Sequence, residues 1–152
     1  MKFGMDGRQA YVLNEMTLTV SVYDRDPKTG LLKEVEVVST GTEKDGTSCS
    51  EIRVHPSGKN IYAANRDGAG KGRDSISVFQ VLDGGKLKLI QVEPAKVKIP
   101  RNINLSPDGN WLLVAGQNSG NVPVFRIGKD GKLKATDTEV KVANAMCVEF
   151  VP

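Results

Sequence analysis

The turns Asp6-Gly7, Ser57-Gly58 and Asp108-Gly109 are in step: their glycines stand 51 residues apart and then 51 again. A fixed period of that size marks a solenoid, a propeller or an array of repeats. It also makes residues comparable between copies.

Each copy opens with a short apolar strand running into that turn, at residues 1–4, 51–56 and 103–107. A second strand follows at 10–13, 61–64 and 111–115, and a third at 19–23, 75–79 and 121–125. The third alternates with period two, as in Ser75-Ile76-Ser77-Val78-Phe79, which predicts a half-buried strand. A further reversal precedes a fourth strand that begins Leu32-Lys33, Leu87-Lys88 and Leu133-Lys134. Four short strands joined by hairpins make an antiparallel meander, and radial repetition of such sheets is the β-propeller. The predicted class is all-β. It is a propeller fragment of about three four-stranded antiparallel blades (units 1–49, 50–99 and 100–145) plus the first strand of a fourth at 146–152. That last strand is expected because residues 146–152 match 50–56.

Propellers close with about four to eight blades, so 152 residues are too few for a ring of this kind. Open blade edges invite pairing. The chain is therefore expected either to join missing blades or to self-associate.

Lys and Arg number 21 against 18 Asp and Glu, a mixed surface with no basic stripe for nucleic acid. There is no long apolar run for a membrane and no charged-then-apolar leader, so a cytoplasmic setting is expected. His55 is the only histidine and no Cys-x-x-Cys occurs, so neither a metal nor a cofactor is expected. His55, beside Pro56, reads as a turn residue. Cys49 and Cys147 are expected as buried free thiols, and Trp111 as core. The glycine-rich stretch 67–73 lacks the Gly-Lys-Ser/Thr ending of a phosphate loop and reads as a flexible insertion.

The strand order assigns the Asp-Gly reversals to one face of the ring. The second-to-third turns and the connections between blades fall on the other. There, the in-register positions 15, 66 and 117 hold Glu15, Arg66 and Gln117. Asn14 and Asn65 precede the first two, and Arg101 enters at the same face. Arginine gives planar, bidentate recognition of carboxylate or phosphate and can hold an oxyanion. Glutamate can take a proton from attacking water. Spacing alone leaves open a plain Glu–Arg pair tying neighbouring blades together.

Several motifs sharpen this. Tyr11-Val12-Leu13-Asn14-Glu15, residues 50–59, Ile61-Tyr62-Ala63-Ala64-Asn65-Arg66, Pro100-Arg101-Asn102 and residues 114–119 resemble the lactonase family of seven-bladed propellers. That family includes the bacterial 6-phosphogluconolactonase of propeller type and the fungal carboxymuconate cycloisomerase. The resemblance covers the chain as the carboxy-terminal three-sevenths of such a protein. It implies hydrolysis of an anionic sugar lactone such as 6-phosphogluconolactone. It implies Glu15, Arg66 and Arg101 as catalytic residues, with Asn14, Asn65 and Gln117 binding substrate. Asn102 stands where the family has a histidine after Pro-Arg, and the family's preceding Pro-Arg-His would fall before Met1. The alternative is a non-enzymatic surface-protein propeller of the Tyr-Val-Thr-Asn type, serving adhesion. Different residues at 15, 66 and 117 favour a site over that reading.

Overall fold

The computed structural model describes residues 1–151. Twelve strands form three four-stranded antiparallel sheets, each in sequence order. The first holds β1 (Lys2–Phe3), β2 (Gln9–Asn14), β3 (Thr19–Arg25) and β4 (Leu32–Ser39). The second holds β5 (Thr47–Val54), β6 (Asn60–Asp67), β7 (Ser75–Val81) and β8 (Leu87–Pro94). The third holds β9 (Pro100–Leu105), β10 (Trp111–Gly116), β11 (Asn121–Ile127) and β12 (Leu133–Lys141). The only helical element among the described residues is a single 3₁₀ turn, Asp83–Gly85.

The 51-residue period is written into the backbone. Gly7, Gly58 and Gly109 have φ of 71°, 72° and 72°, left-handed values that glycine adopts without a Cβ penalty. Each repeat therefore reverses at the same place with the same geometry.

The middle sheet is buried on both faces. In β6, Ile61 and Ala63 point into a core shared with Tyr11, Val20 and Val22 of the first sheet. Tyr62 and Ala64 point the other way, toward Ile103, Leu112 and Val114 of the third. Side chains alternate across a strand, so one β6 run feeds two cores. This corrects the expectation of half-buried third strands. In β7 all five residues from Ser75 to Phe79 are buried, including both serines. The polar members of the alternation are inside because they have internal partners, described below.

Contacts between blades repeat as well. Leu87 N–H donates to Glu36 Oε1 of the preceding blade at 2.6 Å, and Leu133 N–H donates to Gln91 Oε1 at 2.7 Å. Hairpin glycines allow close approach at the same boundaries. A Cβ on Gly85 would lie 2.3 Å from Gln9, and one on Gly131 would lie 2.2 Å from Asn60. On the inner side, Asn102 donates to Glu51 at 3.0 Å, and Arg53 Nε donates to Asn104 Oδ1 at 3.2 Å.

Residues 146–151 make no strand ladder, whereas a first strand of a fourth blade was expected over 146–152; Pro152 lies outside the described residues. They lie beside β9 as β9 lies beside β5. Val148 N–H donates to Asn102 Oδ1 at 3.0 Å, and Asn104 Nδ2 donates to the Val148 carbonyl at 2.9 Å. A strand is recognised by backbone pairing, and here the contacts run through two asparagine side chains.

Three further expectations change. Cys49 is buried, but Cys147 is exposed; both are free thiols. Trp111 begins β10 at the edge of its turn and is 38% exposed, so it is not core. The 67–73 insertion is not a loose loop. The fully buried Asp67 carboxylate accepts from Ala69 N–H, Arg73 N–H and the Arg73 guanidinium at 3.2, 3.0 and 3.1 Å. Arg73 also pairs with Glu43 at 3.0 Å, and Lys71 pairs with Asp45.

Candidate active site

Glu15 and Gln117 are the first residues past the ends of β2 and β10, and Arg66 is the penultimate residue of β6. All three therefore sit at the same end of their sheets. The position repeats because β2, β6 and β10 start from turns in register. The structure brings two of them together. Arg66 Nη2 donates to Glu15 Oε1 across the boundary between the first and second blades. The same nitrogen donates to the Cys49 carbonyl at 2.8 Å, while Cys49 N–H donates to the Glu15 carbonyl at 2.9 Å. Arg66 has a side chain only 13% exposed, whereas that of Glu15 is 61% exposed. The arginine is fixed and the carboxylate faces solvent.

Arg101 comes next along the same rim. Pro100 pairs with Gly116 in the β9–β10 ladder, and its carbonyl accepts from Ser50 Oγ at 2.6 Å. Cys49 and Ser50, adjacent in β5, thus touch Arg66 on one side and the residue before Arg101 on the other. Arg101 is exposed and forms no ion pair among the described residues. Gln117 is partly exposed, and its backbone N–H donates to the Ile99 carbonyl at 3.1 Å.

Asn14 and Asn65 have a different place. Asn65 is fully buried, and its amide donates to Ser75 and Ser77 hydroxyls at 3.3 and 2.8 Å, while its Oδ1 accepts from the Cys49 thiol at 3.4 Å. Asn14 repeats the pattern, donating to Thr19 and Ser21 at 3.0 and 2.9 Å. In the third blade Gly116 replaces the asparagine, and Pro123 stands where Ser21 and Ser77 stand. Asparagine and serine occur together and are absent together, as a pair inside one sheet requires. The Asn65 amide is occupied at both ends within its sheet and has no free surface for a substrate, whereas Asn14 is held through its Nδ2 and stays partly exposed.

Burial pushes the Cys49 thiol up to about 11, with Arg66 pulling the other way. The thiol stays protonated at neutral pH, as its bond to Asn65 requires. His55 lies at the opposite end, where the Ser57 amide donates to Nδ1 at 3.1 Å and Nε2 donates to the Gly109 carbonyl at 2.9 Å. One neutral tautomer satisfies both bonds, which fits a turn residue bridging two blades. No cluster of three or more His, Cys, Asp or Glu among the described residues is placed to hold a metal ion.

Comparison with known proteins bears on this rim. The family description "Lactonase, 7-bladed beta-propeller" matches residues 1–150. The chain belongs to this lactonase family. A 6-phosphogluconolactonase of Formosa agariphila is 36% identical over 151 residues, covering 97% of this chain and 41% of that protein. The 6-phosphogluconolactonase of Bacillus subtilis is 30% identical, covering 95% of this chain and 41% of its own length. A solved structure from Bacteroides fragilis superposes with a TM-score of 0.90 at 29% identity, over 99% of this chain and 41% of the other. The chain thus spans about two fifths of the length of these relatives, and its three sheets are blades of the family's propeller.

Sequence comparison between repeats finds the 15/66/117 position and, with Ser50 and Arg101 also 51 residues apart, sets Ser50 level with Arg101 one blade earlier. It does not reveal that the Cys49 carbonyl accepts from Arg66 or that the Ser50 hydroxyl donates to the Pro100 carbonyl.

Proposed function

We propose that this chain supplies part of the active site of a propeller lactonase that hydrolyses an anionic sugar lactone, 6-phosphogluconolactone being the best candidate. The supporting observation is the Glu15–Arg66–Cys49 junction beside the Ser50–Pro100–Arg101 segment on one rim. Glu15, solvent-facing and oriented by Arg66, takes a proton from the attacking water. The water oxygen bonds to the lactone carbonyl carbon, and negative charge collects on the carbonyl oxygen. A guanidinium beside that oxygen stabilises it. The ring C–O bond then breaks, the proton passes to the leaving alkoxide, and the product is a hydroxy acid. In this reading Arg101, without an internal ion pair, holds the substrate's phosphate or carboxylate, and Gln117 adds an amide contact. Relatives named 6-phosphogluconolactonase at 36% and 30% identity support the substrate class. A phosphorylated sugar as substrate fits a cytoplasmic setting. No described helix is long and apolar enough to cross a membrane.

The test follows acid release from 6-phosphogluconolactone with the parent protein and its Glu15→Ala and Arg66→Ala variants. Turnover that both changes leave intact would remove these residues from the mechanism. The outer faces of the first and third blades are part of the same proposal: each is completed by further blades or by a second copy. Sedimentation should show association or a longer polypeptide, and a well-dispersed monomer of 16.4 kDa would refute it.

A further inference from the structure

We infer that Asp74 is a positioning residue for Arg101, acting through a strained turn that its carboxylate holds in place. This rests on the reading of Arg101 as an anion-holding residue.

The connector from β8 to β9 runs from Ala95 to Ile99, and Ile99 has φ of 57°. A β-branched residue in the left-handed region is an outlier. The following Pro100 adds a second restriction, because a proline pushes the residue before it toward extended conformations. Such strain persists only where the surroundings over-determine it.

The surroundings here come from two blades. Asp74 Oδ1 accepts from Ile99 N–H at 3.1 Å, and the Ile99 carbonyl accepts from Gln117 N–H at 3.1 Å. One residue further on, Ser50 holds the Pro100 carbonyl. The peptide groups leading into Arg101 are gripped from β5, from the β6–β7 loop and from the β10–β11 turn. The same Asp74 oxygen accepts from Asp67 N–H at 2.9 Å. It therefore ties the inserted loop to the turn.

Comparison between blades separates this role from an ordinary structural one. Leu18, Asp74 and Gly120 each precede the third strand of their blade. The carbonyl of each accepts a backbone N–H from the end of the fourth strand: Thr40 at 2.9 Å, Ala95 at 2.9 Å and Val142 at 3.1 Å. That shared contact needs no particular side chain, as leucine and glycine show. Of these three residues only Asp74, in the blade that leads into Pro100-Arg101, carries a carboxylate, and only its side chain reaches on to the connector that follows its own blade. Burial raises the Asp74 carboxyl above its ordinary range, a tension that the two backbone N–H donors partly offset.

The experiment uses amide hydrogen exchange and NMR on the full chain. Asp74→Ala removes the acceptor, while Asp74→Asn keeps a carbonyl oxygen in its place. In Asp74→Ala, the Ile99 and Asp67 amides should exchange at least about tenfold faster, with core amides such as Val78 unaffected. The Arg101 Nε–H resonance should move in the same variant. Asp74→Asn should restore both. Unchanged Ile99 exchange, or an unmoved Arg101 resonance, in Asp74→Ala would overturn the inference. Should Asp74→Ala fail to fold, the comparison is repeated on Ile99→Gly, which relieves the strain. There, loss of the carboxylate should cost much less stability, and an undiminished cost would also overturn it. Failure of lactone hydrolysis would strike the proposed function instead, since neither readout here depends on turnover.

Discussion

Arg66 joins two blades through one nitrogen: it donates to the Glu15 carboxylate of the first blade and to the Cys49 carbonyl of its own. The two partners differ in exposure, so the two ends of the contact differ in what their removal does. Glu15 is largely solvated, and an exposed pair of this sort contributes about 0–1 kcal/mol. Glu15→Ala should therefore lower unfolding stability by no more than about 1 kcal/mol in urea titration. In an active preparation it should lower lactone turnover by about a hundredfold or more. Arg66→Ala should also cost stability, about 1–3 kcal/mol, because the Cys49 carbonyl loses its side-chain donor.

Asn65→Ala and Asn14→Ala form a matched pair one blade apart. Asn65 is fully buried with three partners, whereas Asn14 is only partly buried with two. Leaving buried hydroxyls unpaired costs about 1–3 kcal/mol, so Asn65→Ala should sit at the top of that range and Asn14→Ala near the bottom. Thermal melts of the two variants give the order directly, and a reversed order would refute the assignment.

Gly131 and Gly30 close the same hairpin in different blades, with φ of 80° and 74°. A Cβ at Gly30 would meet nothing within 4 Å, whereas one at Gly131 would run into Asn60. Gly30→Ala should cost only the backbone penalty, about 1 kcal/mol. Gly131→Ala should add the displacement of Asn60 and destabilise by about 1–3 kcal/mol more. Chemical denaturation of both variants measures the close approach between the second and third blades.

Asp67 supplies an acid-sensitive lock. Its bonds to Arg73 hold the carboxyl at about 2, below the ordinary aspartate value near 4. The folded value is the lower one, so the stabilisation is complete above about pH 4 and is lost as pH falls toward 2. Over that window the parent should lose stability faster than Asp67→Asn. Parallel curves would show that the lock does not form.

The two thiols should react differently. Cys147 is exposed, whereas Cys49 is buried and its thiol is pushed up to about 11. A thiol reagent at neutral pH should label one cysteine quickly and the other only on unfolding. Cys147→Ser should abolish the fast phase.

Much of the fold was legible because a tight turn is a local event. The Gly7, Gly58 and Gly109 reversals and the Leu-Lys starts of the fourth strands need only a few neighbouring residues, and they mark the strands of all three sheets. Burial was less legible. The alternation in β7 suggested one wet face, yet Ser75 and Ser77 are inside because Asn65, ten and twelve residues away, satisfies them. Trp111 was misplaced for the converse reason: an aromatic at a strand's first residue can remain at the sheet's edge. The 67–73 insertion looked loose because its fastening, Glu43 and Asp45, belongs to the connection before β5.

By itself the sequence determined the repeat, the all-β class, the strand order and the rim that carries Glu15, Arg66 and Arg101. Those follow from local turn chemistry and from a period that counts along the chain. Only the tertiary structure decided which polar groups are free and which are occupied. Asn65 is used up within its sheet, Arg66 is held between two blades, and the Ile99 amide is taken by the carboxylate of Asp74, the residue before β7. Hydrogen-bond partners between blades are set by how sheets pack face to face, and no spacing along one strand encodes that.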